Sequence, residues 1–281
     1  MNTDIYTVEE IAPGTFRLDE CGRDNCYLLC GEERALLIDC SLGTGDLLRA
    51  VRRLTDLPLT VAVTHTHGDH AGGGYQFGTI HVPRAETHDS FRGQNLRVFR
   101  RMLLSNRMKR QGITKKNIRG SIRKTAWLPF DDGDVFDLGG RAVRAVSVPA
   151  HTIGGTVFLD ETNRLAFLGD TACPVLPMHT YRALPLSAWE AQGDRLLALT
   201  DGYALWCGHG DGRLDRALVQ QQLGWVREIL AAHPANEAER KAVFYPAFDP
   251  AGCVGFRPAN LYETDKRKGW VKETWNSILH G

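Results

Sequence analysis

No apolar run in this 281-residue chain approaches the ~20 residues that a membrane-spanning helix needs, and none of its predicted helices is apolar all round. Excess charge is also missing: 34 Lys and Arg nearly balance 33 Asp and Glu, so no global field selects a polyanionic or polycationic partner. The seven cysteines are odd in number and contain no C-x-x-C pair, which disfavours both a disulfide framework and a zinc ribbon. Cys26, Cys30 and Cys40 lie among apolar strand residues and read as small buried hydrophobes. The opening residues, MNTDIYTVEE, lack the basic start and apolar middle of a secretory signal, and a cytoplasmic location is expected. No internal repeat is visible residue by residue. At 43% hydrophobic and 24% charged, the composition is that of a globular chain able to bury a substantial core in one large or two small domains.

Alternation and short apolar runs place strands at GTFRLDE, NCYLLCG, RALLIDC, LTVAV and TIHVP in the first half. In the second half, DVFDLGGRAVRAVSVPAH, GTVFLDETNRLAFLGD and GYALWCGHG read the same way. Helical spacing marks GTGDLLRAVRRLTDLP, SAWEAQGDRLLALT and DRALVQQQLGWVREILAAH, and a strongly basic stretch from Thr87 to Lys124. Strands followed by a helix in both halves predict two αβ halves packed face to face.

What the chain does have is histidine at strand ends. Thr64 to His70, THTHGDH, packs three histidines and an aspartate into seven residues directly after the apolar run LTVAV. Alternate side chains of an extended segment point the same way, so His65 and His67 can reach one point. Gly68 then lets the chain turn, carrying Asp69 and His70 toward a second point. Imidazole nitrogen and carboxylate oxygen without thiolate suit zinc, iron or manganese. A polar loop with surface histidines is the alternative, but imidazoles and carboxylates beside a buried strand are costly without partners. The second half repeats the pattern: SVPAH ends a strand at His151, LAFLGD at Asp170 and ALWCGH at His209, each beside glycine. Loops converging at one sheet edge are where α/β folds build sites.

The series THTHGDH, PAHTIGG, FLGDTA and CGHG, with LLIDC before it, resembles the metallo-β-lactamase superfamily over about residues 5 to 212. The resemblance implies an α/β fold, a four-layer αββα sandwich with a basic helical insertion. Residues 1–281 are then one metallo-hydrolase domain, with 87–125 the insertion or cap and 213–281 a C-terminal helix and tail packed on the core. Carried over by position, His65, His67 and His151 would hold one metal ion, and Asp69, His70 and His209 a second, with Asp170 bridging. The ions expected are two divalent metals, zinc first, iron or manganese as alternatives. Asp39 would orient the histidine loop without binding metal, and Asp69 would accept a proton from the hydroxide nucleophile that the two ions generate. Of the other histidines, His81, His88, His233 and His280 have no motif, while His179 and Cys173 are candidates for lining the substrate pocket.

A bridging aspartate at position 170 resembles glyoxalase II, lactonases and phosphodiesterases more than lactamases proper. The function implied is hydrolysis of a small ester, thioester or lactone. Between Asp89 and Asp131 stand twelve Lys or Arg and no acid, which reads either as a cap attracting an anionic substrate or as a solvated or subunit-facing insertion. The first alternative supports a phosphodiesterase acting on a nucleotide-like substrate. A third reading is a mononuclear iron sulfur dioxygenase, which would leave His70 and His209 without a metal. Partners expected are a small molecule and, as an option, a second copy in a homodimer; neither a membrane nor a nucleic-acid partner is expected.

Overall fold

The computed structural model describes residues 5–88, 125–174, 176–177 and 183–232, with short strands at 243–244, 247–248 and 254–255. Strands β1 (Tyr6–Ala12), β2 (Thr15–Glu20), β3 (Asp24–Cys30), β4 (Ala35–Ile38), β5 (Leu59–Ala62), β6 (Thr79–Pro83) and β7 (Ala126–Phe130) form one sheet in chain order. Neighbours are antiparallel from β1 to β4 and parallel from β4 to β7. Helix α1 (Leu47–Arg52) joins β4 to β5, and the one-turn helix α2 (Gly68–Ala71) follows β5. The second sheet contains β8 (Val135–Asp137), β9 (Ala142–Ser147), β10 (Thr156–Asp160), β11 (Leu165–Phe167), β13 (Ala204–Trp206) and β14 (Arg213–Leu214). Short β12 (Leu176–Pro177) pairs with β15 (Val243–Phe244), and β16 (Ala247–Phe248) with β17 (Val254–Gly255). Helices α3 (Leu186–Leu199) and α4 (Arg216–Ala232) complete the described elements.

Period-two alternation turns these sheets into layers. On β3 and β4, Tyr27, Leu29, Leu36 and Ile38 face a shared core with Val143, Ala145, Phe158 and Phe167 of the second sheet. Their neighbours Cys26, Leu28, Ala35 and Leu37 point the other way, against Leu47, Ala50 and Val51 of α1. On the far side, Val157 and Leu159 pack with Leu186, Trp189 and Leu196 of α3 and Val219, Leu223 and Val226 of α4. Strands covered on both faces read as near-continuous apolar runs for this reason. Burying one such Leu or Phe contributes about 1.5–3 kcal/mol. The order helix, sheet, sheet, helix is the expected αββα sandwich.

Besides the two-residue strands β12 and β14 to β17, two longer strands escape the sequence reading, β1 and β7, and both are edges of the first sheet. Edge strands lack a paired neighbour on one side, and YTVEEIA and AWLPF carry Glu9, Glu10, Pro129 and an exposed Leu128 in place of a continuous apolar run. The helix expected over 43–58 is confined to Leu47–Arg52. The buried carboxylate of Glu20 captures the backbone N–H groups of Leu42, Thr44 and Gly45, holding the start of that stretch as a loop. Asp46 then caps α1 by accepting from the N–H of Arg49. Among the described residues no helix is long and apolar enough to cross a membrane. The basic stretch at 89–124 and most of the tail beyond 232 lie outside the described residues.

Candidate metal centre

The strand ends of both sheets meet at one end of the sandwich. β4 leads into Asp39, whose N–H continues the sheet by donating to the carbonyl of Ala62 before the chain turns at φ 62°. Left-handed backbone is uncommon outside glycine, and Asp and Asn are among the side chains that tolerate it best. The parallel neighbour β5 runs through Val63 and Thr64 into His65, Thr66 and His67, the last still extended at φ −64° and ψ 158°. The turn that separates His65 and His67 from Asp69 and His70 is helical. Gly68 opens α2, without left-handed backbone, and the chain turns there. From the second sheet come His151 after β9, Asp170 after β11 and His209 after β13. The candidate residues therefore sit on two sheets, not on one edge, and only packing of the sheets brings them together.

Their ring nitrogens turn inward. His67 Nδ1 lies 3.0 Å from His65 Nε2 and 3.0 Å from His151 Nε2. Asp170 stands next to them, with Oδ1 3.2 Å from His70 Nε2 and 3.1 Å from His209 Nε2, and Oδ2 3.6 Å from His151 Nε2. Asp69 Oδ2 is 4.0 Å from His209 Nε2. Three groups result whose ligand atoms all lie within 4.8 Å: His65, His67 and His151; Asp69, His70 and His209; and His65, His70 and Asp170 across the middle. His209 and Asp69 face solvent, at 30% and 14% side-chain exposure, while His70, His151 and Asp170 are at 5% or less.

The outward nitrogens explain why the rings point this way. Asp39 Oδ2 lies 2.9 Å from His70 Nδ1, and its carboxylate also accepts from the N–H and hydroxyl of Thr64 at 2.7 and 2.9 Å. The Thr64 hydroxyl in turn lies 3.1 Å from His65 Nδ1. At the other end, the carbonyl of Arg23 lies 2.9 Å from His209 Nδ1, with Asp24 Oδ1 3.4 Å away. These partners assign a proton to Nδ1 in all three rings and make Nε2 the atom that faces the centre. Arg23, Asp24, Thr64 and their partnership with the rings went unnoticed in the sequence, since nothing in a one-dimensional pattern pairs β3 with residue 209. Gly208 is required by close approach: a Cβ there would lie 2.5 Å from His70 Cε1 and 2.9 Å from Asp170 Oδ1.

Burial and mutual charge divide the set in two. Burial, helped by the neighbouring rings of His70, His67 and His151, holds His65 well below its ordinary value. Burial takes His151 down to about 3, against the opposing pull of Asp170. Both rings are thus neutral, the form with a lone pair to offer. For His70 and His209 burial acts downward as well, but Asp170, joined by Asp39 and Asp24 respectively, raises both well above the usual imidazole range. Burial pushes the Asp170 carboxyl upward, and His209 and His70 more than offset it, so it lies well below the usual carboxylate range. A place that draws protons onto two imidazoles suits a cation for the same reason, which would bind by displacing those protons.

The residues fit a metal group on the structure's own terms. His70 Nε2 and Asp170 Oδ1 are buried, face each other and make no aligned hydrogen bond, so both keep unused capacity. A tetrahedron of ~2.0–2.1 Å zinc–nitrogen bonds sets neighbouring ligand atoms roughly 3.3 Å apart, close to the observed nitrogen spacing. The donor set of imidazole and carboxylate without thiolate suits zinc, iron or manganese. One pocket expectation is corrected. Cys173 is 1% exposed, packed in the apolar layer with Leu186 and Trp189, and lines no open surface, because the chain folds it under α3. His179, the second pocket candidate, lies outside the described residues, as do His233 and His280; His81 packs edge-on against Phe136.

An αββα sandwich with five imidazoles and two carboxylates gathered at one end defines a metallo-hydrolase class of protein. Residues 20–209 match the family model of the metallo-beta-lactamase superfamily, and the chain belongs to that superfamily. It is 31% identical over 216 residues to the acyl-coenzyme A thioesterase MBLAC2 of Bos taurus, covering 70% of this chain and 77% of that protein. With the hydroxyacylglutathione hydrolase of Rhodopseudomonas palustris it shares 27% identity over 158 residues, 56% of this chain and 49% of the relative. Among solved structures, a metallo-beta-lactamase from Pontibacter korlensis superposes with a TM-score of 0.57 at 16% identity, covering 79% of this chain and 99% of that one, a likeness of fold alone. The protein is a hydrolase of this superfamily, and its named curated relatives are thioester-type hydrolases rather than β-lactamases proper.

Proposed function

We propose that this protein hydrolyses a small acyl thioester with two divalent metal ions, zinc first among the candidates. His65, His67 and His151 would hold one ion, Asp69, His70 and His209 the other, and Asp170 would stand between them. The observation that carries this reading is the placement of Asp170, whose two oxygens lie within 3.6 Å of ring nitrogens from both groups. A carboxylate so placed supports a shared two-ion site better than a single-ion one. The choice of thioester over oxygen ester or lactone is supported by the relative that is named an acyl-coenzyme A thioesterase.

When bound, paired divalent ions supply Lewis acidity toward a carbonyl oxygen and bring the pKa of water toward neutrality. The chain's own residues do the rest. Asp69, the more exposed of the two carboxylates, lies beside His209 on the open side, where it can accept a proton from attacking water. Burial alone would raise Asp69, but His70 and His209 more than offset it and keep it ready as a carboxylate. Asp39 and the Arg23 carbonyl hold His70 and His209 with Nε2 inward, so neither ring has to reorient during turnover. The buried His65 and His151 close the inner side, with half-buried His67 between them.

The test is a zinc analysis of metal-replete protein followed by thiol release from acyl-coenzyme A and acyl-glutathione thioesters, beside an oxygen ester, a lactone and a phosphodiester. Two ions per chain and the highest kcat/KM on a thioester are expected. One ion at saturation would overturn the dinuclear reading, and faster cleavage of the phosphodiester or lactone would overturn the substrate class.

A further inference from the structure

Glu86 is a charged side chain with 0% exposure, placed at the end of the 3-10 turn Arg84–Glu86 after β6. Its carboxylate spans the two loops that carry the inner histidines. Oε2 accepts from the N–H of Thr66 at 2.6 Å and from its hydroxyl at 2.7 Å. Oε1 accepts from the N–H of Gly154 at 3.0 Å. Thr66 stands between His65 and His67, and Gly154 three residues after His151. The approach depends on glycine, because a Cβ at Gly154 would lie 2.6 Å from Glu86 Cγ. One further backbone bond, from Thr156 N–H to the Thr64 carbonyl, joins the same two strand ends. Glu86 thus adds a side-chain link between the loops of His67 and His151, which stand on different sheets.

We infer that Glu86 is a positioning residue for the ion proposed at His65, His67 and His151, acting by fixing one histidine loop against the other. The inference rests on the metal reading of that group. A carboxylate suits the task because both of its oxygens only accept, and every partner here donates. Glutamine has the same length but turns an NH2 toward one of the two loops, setting a donor against an N–H donor. The outer group is held differently: His70 by Asp39, and His209 by Arg23 and Asp24. Loss of Glu86 therefore weakens one ion and spares the other.

The experiment compares the stepwise zinc affinities of the wild type, Glu86→Gln and Thr66→Val by competition with a chromophoric chelator, alongside the melting temperature of each metal-free protein. In Glu86→Gln one zinc ion is expected to bind about 10–100-fold more weakly, as for other partners of metal ligands, while the other keeps its affinity. Thr66→Val, which keeps the backbone donor and the side-chain shape, is expected to weaken the same ion by less. It carries the test if Glu86→Gln does not fold. Equal weakening of both ions would overturn the inference, and so would unchanged affinities with only a lower melting temperature, the mark of a structural brace. Wild-type protein that binds no zinc would overturn the metal reading itself, and this inference with it.

Discussion

Replacing Asp39 by Asn tests how the outer histidine is aimed. The backbone at φ 62° tolerates Asn as it does Asp, so the turn is retained. The side chain is 2% exposed and cannot swing into solvent. Its carbonyl oxygen can still accept from Thr64, but the amide then points at His70 Nδ1, 2.9 Å away, where a carboxylate oxygen stood. Two N–H donors cannot face each other at that distance. His70 must give up the Nδ1 proton, which moves to Nε2, the atom that faces Asp170. An imidazole protonated at Nε2 cannot ligate through it. A hydrogen bond to a charged partner contributes about 1.5–3 kcal/mol. Loss of such support for a metal ligand lowers affinity about 10–100-fold, or roughly 1.4–2.7 kcal/mol, and the two ranges agree. Zinc titration against a chelator should show one ion weakened by that factor, with kcat/KM falling at limiting zinc and recovering in part at excess zinc. An Asp39→Asn protein that holds both ions with wild-type affinity would refute the tautomer argument.

Asp170→Asn should fold and lose at least ~10²-fold in turnover, because an amide carries no charge to set between two cations; wild-type rates with wild-type zinc content would show that Asp170 does not bridge. Gly208→Ala should lower zinc content without a comparable fall in stability, since the new methyl presses on His70 and Asp170 rather than on the apolar layers; elemental analysis and thermal melting of the same sample check this. Arg141→Met should do the reverse. Arg141 pairs with Asp160 at 2.6 Å, both nearly fully buried and linked to Gly14, Thr15 and Cys30, so removing one partner should destabilise by about 3–5 kcal/mol in denaturant titration and leave zinc binding as in the wild type.

Legibility followed burial. The inner strands, covered on two faces, announce themselves as apolar runs, whereas β1 and β7 at the sheet edges do not. The helices α3 and α4 match their sequence boundaries to within a residue or so, because their apolar stripes pack on a sheet. The expected helix over 43–58 was cut short by Glu20, a residue distant in sequence whose hydrogen bonds no local pattern reveals. Cys173 looked available to a substrate because it follows Asp170 by three residues, yet folding placed it under α3.

By itself the sequence determined which side chains stand at strand ends and which donor atoms they offer, since both follow from local alternation and from the chemistry of His and Asp. It also determined the superfamily, through the order and spacing of THTHGDH, His151, Asp170 and His209. Only the tertiary structure decided that two sheets, not one, supply the site, that Asp170 lies within reach of both groups, and which nitrogen of each ring turns inward. Those outcomes depend on contacts between residues as distant as Arg23 and His209, or Glu86 and Gly154, which form only when the sheets pack. Strand-end residues are written in the chain; the distances between them are set by the packing of one sheet on the other.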